Sequence, residues 1–188
     1  KYNRLAAAKI AKGRKVLDCF THTGAFALNC AYAGAEHVTA VDVSKDAVIM
    51  TEANAVLNGL EGRMDFKCAD VFELLTEMAK EGKCPYDYII LDPPAFTKSS
   101  STVKNAERGY KEINMKAMKL LPRGGYLATC SCSHFMRDDL FRKMLHSAAA
   151  DANVELRQIE ARQQSPDHPI LWNVPETDYL KFYIFQIV

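Results

Sequence analysis

Three hydrophobic runs in this 188-residue chain end in an aspartate: VLDCF carries Asp18, VTAVDVS carries Asp42 and IILDPPAF carries Asp92. In an open parallel sheet the carboxyl ends of the strands face one crevice, and ligands bind there near the point where strand order reverses. If the runs are parallel strands, the three carboxylates line that crevice. An acid at the end of a second strand can accept hydrogen bonds from both hydroxyls of a ribose, a role that suits Asp42. Its plainer role is to cap the next helix, but Ser44 already offers that cap. Asp70, followed by Val71 and Phe72, suits an adenine, which needs one polar contact and an apolar slot, and suits a helix cap equally well. Gly24 opens a helical stretch, but one glycine is not a GxGxxG fingerprint, so a hydride-transfer dinucleotide site is disfavoured. The pattern reads as a nucleotide-type cofactor site with a reaction centre beside it.

Asp92 is followed by Pro93 and Pro94. Neither proline can donate to a sheet ladder, so the strand must stop and the chain must turn rigidly. The turn presents the Asp92 carboxylate and the Pro93 carbonyl to the crevice. TCSCS at 129–133 ends a later apolar run. Free cysteines are mostly small buried hydrophobes, which suits Cys19, Cys30, Cys68 and Cys84, and Cys130 inside the run. Cys132 falls just past the run, at the crevice edge, where a thiolate is nucleophilic if a Lys or Arg neighbour lowers its pKa. His134 is either a base or a surface histidine.

Strands are expected over 15–19, 37–42, 64–68, 86–91 and 126–130, with a closing pair at 155–160 and 179–187. Helices are expected over 24–33, from Ser44 to about 57 (read from its cap and length), 71–81, 104–121 and 136–150. Gly34 suits a left-handed helix end, and Pro122, Gly124 and Gly125 a helix stop. Residues 97–102 read as a polar loop, 165–176 as an irregular one, and 1–15 as a basic lead-in to the first strand. Strand–helix alternation with short connections means one α/β domain on a parallel sheet.

The hydrophobic fraction of 48% and charged fraction of 25% are those of an ordinary globular domain. No apolar run approaches membrane-spanning length and no signal-peptide pattern is present, so no membrane is expected. The six cysteines lack paired zinc spacing, so no metal is expected, and free thiols fit a reducing cytoplasm. Net charge is +1. Lys1, Arg4, Lys9, Lys12, Arg14 and Lys15 crowd the start without an acid. Lys98, Lys104, Arg108, Lys111, Lys116, Lys119 and Arg123 face only Glu107 and Glu112. Such clusters fit a polyanion and a solvated helix face alike. The chain starts at Lys1 and reaches its first strand at once, so a preceding region is expected.

Asp18, Gly24, Asp42, Asp70 and Asp92-Pro93-Pro94 match the pattern of Rossmann-like, S-adenosylmethionine-dependent methyltransferases, which the chain resembles. More narrowly, it resembles the ribosomal large-subunit RNA cytosine-C5 methyltransferases that carry an N-terminal PUA domain. The segments that carry this resemblance are LDCFTHTGAFAL, VDVS with Asn54 and Leu57-Asn58 downstream, DPPAF, RGYKEIN at 108–114, TCSCS, and DHP…PE..YLK at 167–181. They span nearly the whole chain. The resemblance implies an α/β, Rossmann-like class I methyltransferase fold: a mostly parallel seven-stranded sheet with helices on both faces. It implies S-adenosyl-L-methionine as cofactor and RNA, ribosomal RNA in particular, as partner. Residues 1–188 are then the methyltransferase domain, with PUA and linker domains expected before it. The methionine end of the cofactor falls to the Asp18–Gly24 loop, its ribose to Asp42 and its adenine to Asp70. Phe20, Thr23, Phe26, Val43, Ser44, Asn54, Val71, Asp92 and Pro93 complete the implied cofactor set. Cys132 is the implied nucleophile and Asp92 its catalytic partner. Where other RNA cytosine-C5 enzymes place a second cysteine directly after DPP, this chain has Ala95, which leaves a two-cysteine mechanism unsupported.

The implied chemistry has a physical reason. C5 of cytosine is a poor nucleophile until a thiolate adds at C6; an acid near N3 and N4 stabilises the charge that builds there. The base must leave its stack, and Phe96, Tyr110 and Phe135 are candidates to hold it. Competing readings are an amino-group methyltransferase acting on a base, which needs no cysteine, a non-catalytic cofactor-binding RNA module, and a small-molecule methyltransferase.

Overall fold

The computed structural model describes residues 1–82, 84–97 and 99–188. Its strands are β1 (Lys15–Cys19), β2 (His37–Asp42), β3 (Met64–Cys68), β4 (Tyr88–Leu91), β5 (Tyr126–Ser131), β6 (Leu156–Arg162) and β7 (Lys181–Ile187). They form one seven-stranded sheet in the order β3-β2-β1-β4-β5-β7-β6. β1 to β5 pair in parallel, and β7 runs antiparallel to both of its neighbours. The order reverses between β1 and β4, so the crevice opens at the carboxyl ends of those two strands.

The helices are α1 (Tyr2–Ala11), α2 (Ala25–Tyr32), α3 (Lys45–Leu57), α4 (Val71–Glu81), α5 (Val103–Leu120) and α6 (Asp138–Ala152). Side chains alternate across the sheet and divide the core in two. Leu17, Ile89, Leu91 and Leu127 face a layer that contains Leu75 of α4, Ile113 of α5 and Phe141 of α6. Val16, Val38, Ile90 and Ala128 face Ala7 of α1, Ala27 of α2 and Ala55 of α3. The small residues of the second layer let its helices lie close to the sheet. The expected sheet and its two helical faces are therefore present.

Several details differ from the sequence reading, among them Cys68, which is exposed rather than buried. Residues 1–15 are not a plain lead-in: α1 occupies 2–11, where Ala6, Ala7, Ala8 and Ala11 combine the best helix former with a buried face. β4 starts at Tyr88, and just before it the Asp87 carboxylate binds the Arg14 guanidinium (3.3 Å) and the Lys15 amide (2.9 Å). β5 runs one residue further than expected, to Ser131. α6 starts at Asp138, two residues later than expected. The local caps are as expected. Ser44 Oγ accepts from the Ala47 amide at 3.3 Å, Asp70 caps α4, and Gly34 is left-handed with φ +93°.

The basic clusters do not each form one surface. α5 leads away from the crevice, which puts Lys104 and Arg108 near the strand ends and carries Lys119 and Arg123 to the opposite end of the sheet. Lys111 pairs with Asp151 at 2.7 Å and Lys116 with Glu112 at 2.5 Å. Arg14 pairs with Asp87 and Lys15 with Glu36, also away from the crevice. Lys98 lies outside the described residues.

Ile89 is fully buried at the centre of the sheet. Ile89→Ala is expected to cost about 2–5 kcal/mol, because the surrounding strands cannot close the cavity. Leu57→Ala, on a side chain 82% exposed, is expected to stay within about 0.5 kcal/mol. Urea denaturation of the two variants checks the contrast.

Candidate active site

β1 ends at Cys19, and residues 20–24 form the turn that leads into α2. The turn is unusual in backbone: Phe20, His22 and Gly24 all have positive φ, at 63°, 52° and 83°. Non-glycine residues hold such angles only where their surroundings over-determine them. Asp18 does so from below. Its Oδ2 accepts from Thr21 Oγ1 at 2.7 Å and from the Ala27 amide at 3.0 Å, which ties the turn to the first turn of α2. From the side, Thr51 of α3 donates to the His22 carbonyl at 2.9 Å, and Asn54 Nδ2 donates to the Thr23 carbonyl at 3.0 Å. Gly24 is the tight point, since a Cβ there would stand 2.7 Å from Thr51 Cγ2. Thr51 was not foreseen. The available signal was its place one helical turn before Asn54 on the same face of α3.

Asp18 is 1% exposed, so it shapes the site from beneath. Its Oδ1 is buried without a partner among the described residues. Burial pushes its pKa up to about 7, against the hydrogen bonds from Thr21 and Ala27, with Asp92 and Asp42 pushing the same way as burial. Asp42 is half-buried at the crevice, and the backbone aims both of its oxygens. Oδ2 accepts from the His22 amide and Oδ1 from the Ser44 amide, each at 2.9 Å. Each oxygen keeps a lone pair for one ribose hydroxyl, so the acceptor set fits S-adenosylmethionine at this end. Val43 is exposed beside Asp42. Asp70 is exposed, and its Oδ1 caps α4 through the Phe72 and Glu73 amides at 2.8 and 3.1 Å. Val71 is buried behind it. Phe20 and Thr23 are half-buried on the turn. Phe26 faces inward and stacks on Phe182, with ring centroids 6.0 Å apart, so it supports the crevice from behind.

The other half of the crevice is built on the ends of β4, β5 and β7. Asp92 follows β4, with Pro93 buried next to it. Burial raises the Asp92 pKa, against the Cys130 thiol, Arg4 and His22, which favour its carboxylate. Cys130 is buried within β5, as expected of a packing residue. Cys132 is half-buried just past β5, between two buried serines. Ser131 Oγ donates to Tyr110 OH at 3.1 Å, and Ser133 Oγ donates to the Thr97 carbonyl at 3.0 Å. Lys181 Nζ donates to the Ser133 carbonyl at 2.6 Å. The serines of SCS thus bind the cysteine segment to α5, to the segment after Pro94 and to β7. Burial and Asp92 raise the Cys132 pKa, and Lys181 opposes them. The expected lowering of this thiol by a basic neighbour is therefore outweighed.

The aromatic candidates separate. Tyr110 is wholly buried, with its ring 4.6 Å from Phe96 and 5.8 Å from Phe141, so it is core and cannot hold a base. Phe96 is half-buried, and Phe135 lies against the His134 ring at 3.8 Å. A groove of about 650 Å³ lies at the same end of the sheet, with His134, Arg137, Arg142, Arg162 and Lys181 in its wall.

Asp18 has a consequence for stability. An acid whose folded pKa is raised favours the fold below its unfolded pKa, and that contribution is lost as pH rises through the folded value. Stability is expected to fall between about pH 4 and the folded value of about 7. Asp18→Asn should flatten that slope. Urea midpoints measured across this range check it.

A family profile of S-adenosylmethionine-dependent methyltransferases matches residues 1–185. The ribosomal RNA large subunit methyltransferase I of Shewanella denitrificans is 45% identical over 186 residues, 98% of this chain and 47% of that protein. The protein of the same name from Erwinia tasmaniensis is 42% identical over 187 residues, 99% of this chain and 47% of its own length. The chain thus spans about half the length of the curated relatives it matches. Among solved structures, a Streptococcus mutans protein assigned as a SAM-dependent methyltransferase superposes with TM-score 0.85 at 22% identity, over 97% of this chain and 47% of its own. TrmN from Thermus thermophilus superposes with TM-score 0.69 at 23% identity, over 100% and 48%. An O-methyltransferase from Bacillus cereus does so with TM-score 0.68 at 16% identity, over 100% and 79%. These structural likenesses speak to the fold. With the profile match over nearly the whole length, the chain belongs to the S-adenosylmethionine-dependent methyltransferases, and S-adenosylmethionine is its cofactor.

Proposed function

We propose that this domain methylates C5 of a cytosine in large-subunit ribosomal RNA, with Cys132 as the nucleophile. The observation that supports the reading is the setting of Cys132, half-buried just past β5 between two hydrogen-bonded serines and under the influence of Asp92. The relatives' name supports ribosomal RNA as the substrate class. The part of those relatives that this chain does not span leaves room for the PUA and linker domains, and cytoplasmic ribosome assembly is the setting that follows from the substrate.

S-adenosylmethionine supplies the electrophilic methyl group. Asp42 holds its ribose, Asp70 offers Oδ2 to its adenine, and the turn at 20–24 receives its methionine end. The Cys132 thiolate adds to C6 of the flipped cytosine, which makes C5 nucleophilic. Asp92, whose carboxyl pKa burial raises, faces the N3 and N4 side and hydrogen-bonds there as charge builds. C5 then takes the methyl group, S-adenosylhomocysteine being the leaving group, and loss of the C5 proton to water expels the cysteine as thiolate. The flanking RNA lies along the groove walled by Arg137, Arg142 and Arg162, and Trp172, 99% exposed in the segment between β6 and β7, suits stacking on an unpaired base.

Cys132→Ala in the full-length protein should abolish methyl transfer and leave cofactor affinity unchanged. RNA carrying 5-fluorocytosine should trap an adduct on the Cys132 peptide, because fluorine cannot leave as the proton does. Activity that survives the substitution, or an adduct on Cys130, contradicts the assignment. Asp42→Ala should weaken cofactor binding by about 1–3 kcal/mol, since the ribose hydroxyls lose their acceptors. Calorimetry of this domain measures that loss.

A further inference from the structure

Lys181 is a buried cation without a carboxylate partner among the described residues. It opens β7 directly across from Ser131 and is 6% exposed. Its Nζ donates to the Ser133 carbonyl at 2.6 Å and the Tyr179 carbonyl at 2.9 Å. Among the described residues it takes part in no ion pair. Burying an ammonium against carbonyls alone is unfavourable, and an apolar side chain of similar length would pack there at lower cost. Burial accordingly lowers its pKa to about 8, against Asp178, Cys132 and Asp138.

The charges around it explain the placement. Asp178 approaches from the segment before β7, Asp138 from the start of α6 and Cys132 from the end of β5. Asp92 faces the same thiol from the end of β4. His134, Arg137 and Arg142 share the groove wall with Lys181. Two influences oppose ionisation of Cys132, its burial and the Asp92 charge; backbone amides at Cys132 and Ala95 act against them, and Lys181 is the cation that joins them.

We propose that Lys181 is a positioning residue for Cys132: its ammonium fixes the carbonyl of the next residue and supplies the positive charge beside which the thiol ionises. This rests on the reading of Cys132 as nucleophile. Lys181 touches neither base nor cofactor in this role and acts through the sulfur. It also gives the YLK segment a function, since the lysine reaches back 48 residues to the SCS segment.

The test is the pH profile of Cys132 alkylation by iodoacetamide in the full-length protein, read by peptide mass spectrometry. Exposed Cys68 at the far edge of the sheet serves as internal standard. Lys181→Met should move the Cys132 profile to higher pH by about one unit, a roughly tenfold loss of rate at neutral pH. Lys181→Arg should restore most of it, and Lys181→Gln serves if the methionine variant does not fold. A Lys181→Met profile that superimposes on the wild type overturns the proposal. So does a uniform loss of reactivity without a shift, which marks a structural role alone. Methyl transfer by Cys132→Ala, assayed separately, tests the nucleophile itself, so failure of that reading is distinguishable from failure of this one.

Discussion

Everything at the crevice depends on how the chain leaves β1. A strand inside a parallel sheet is fixed by its ladder, but the turn after it has none, and here it holds Phe20 and His22 at angles that L residues rarely adopt. The Asp18 carboxyl compensates, because one oxygen accepts from both Thr21 and Ala27. With the turn set, the His22 amide can reach Asp42, and Asp42 is aimed in turn. The position of the cofactor half of the crevice therefore follows from a carboxyl buried beneath the turn. Its burial pushes it toward the protonated form, so the price of the arrangement is paid in stability at higher pH.

The opposite half is fixed by a different device. Ser131, Ser133 and Lys181 bind the cysteine segment to three separate elements, and Tyr110 closes the network from α5. Such a buried polar network stiffens a site only when its members are satisfied. The two halves meet at Asp92, which influences Asp18 from one side and the thiols of Cys130 and Cys132 from the other.

The sheet and most helices were legible because their signals are local: β-rich runs that end in aspartate, Ser44 and Asp70 at helix starts, Gly34 at a helix end. The positions of Asp42 at the end of β2 and Cys132 just past β5 were legible because the apolar runs that carry them stop there. What stayed hidden rests on distance. Ser133 meets Thr97 across 36 residues and Lys181 meets Ser133 across 48, so no window of sequence could pair them. The first helix was hidden for another reason: its flanking lysines drew attention to charge, while its four buried alanines carry the structure. Tyr110 looked like a base-stacking candidate and proved to be core, because an aromatic one helical turn before Asn114 serves either purpose until the packing is known.

The central claim is that the crevice brings a cysteine, and with it C5 of a cytosine, to the methyl donor. The most direct measurement is nucleoside mass spectrometry of ribosomal RNA after incubation of the full-length protein with S-adenosylmethionine labelled in its methyl group. The account predicts the label in 5-methylcytidine. Label on an exocyclic amino group of any base would contradict it.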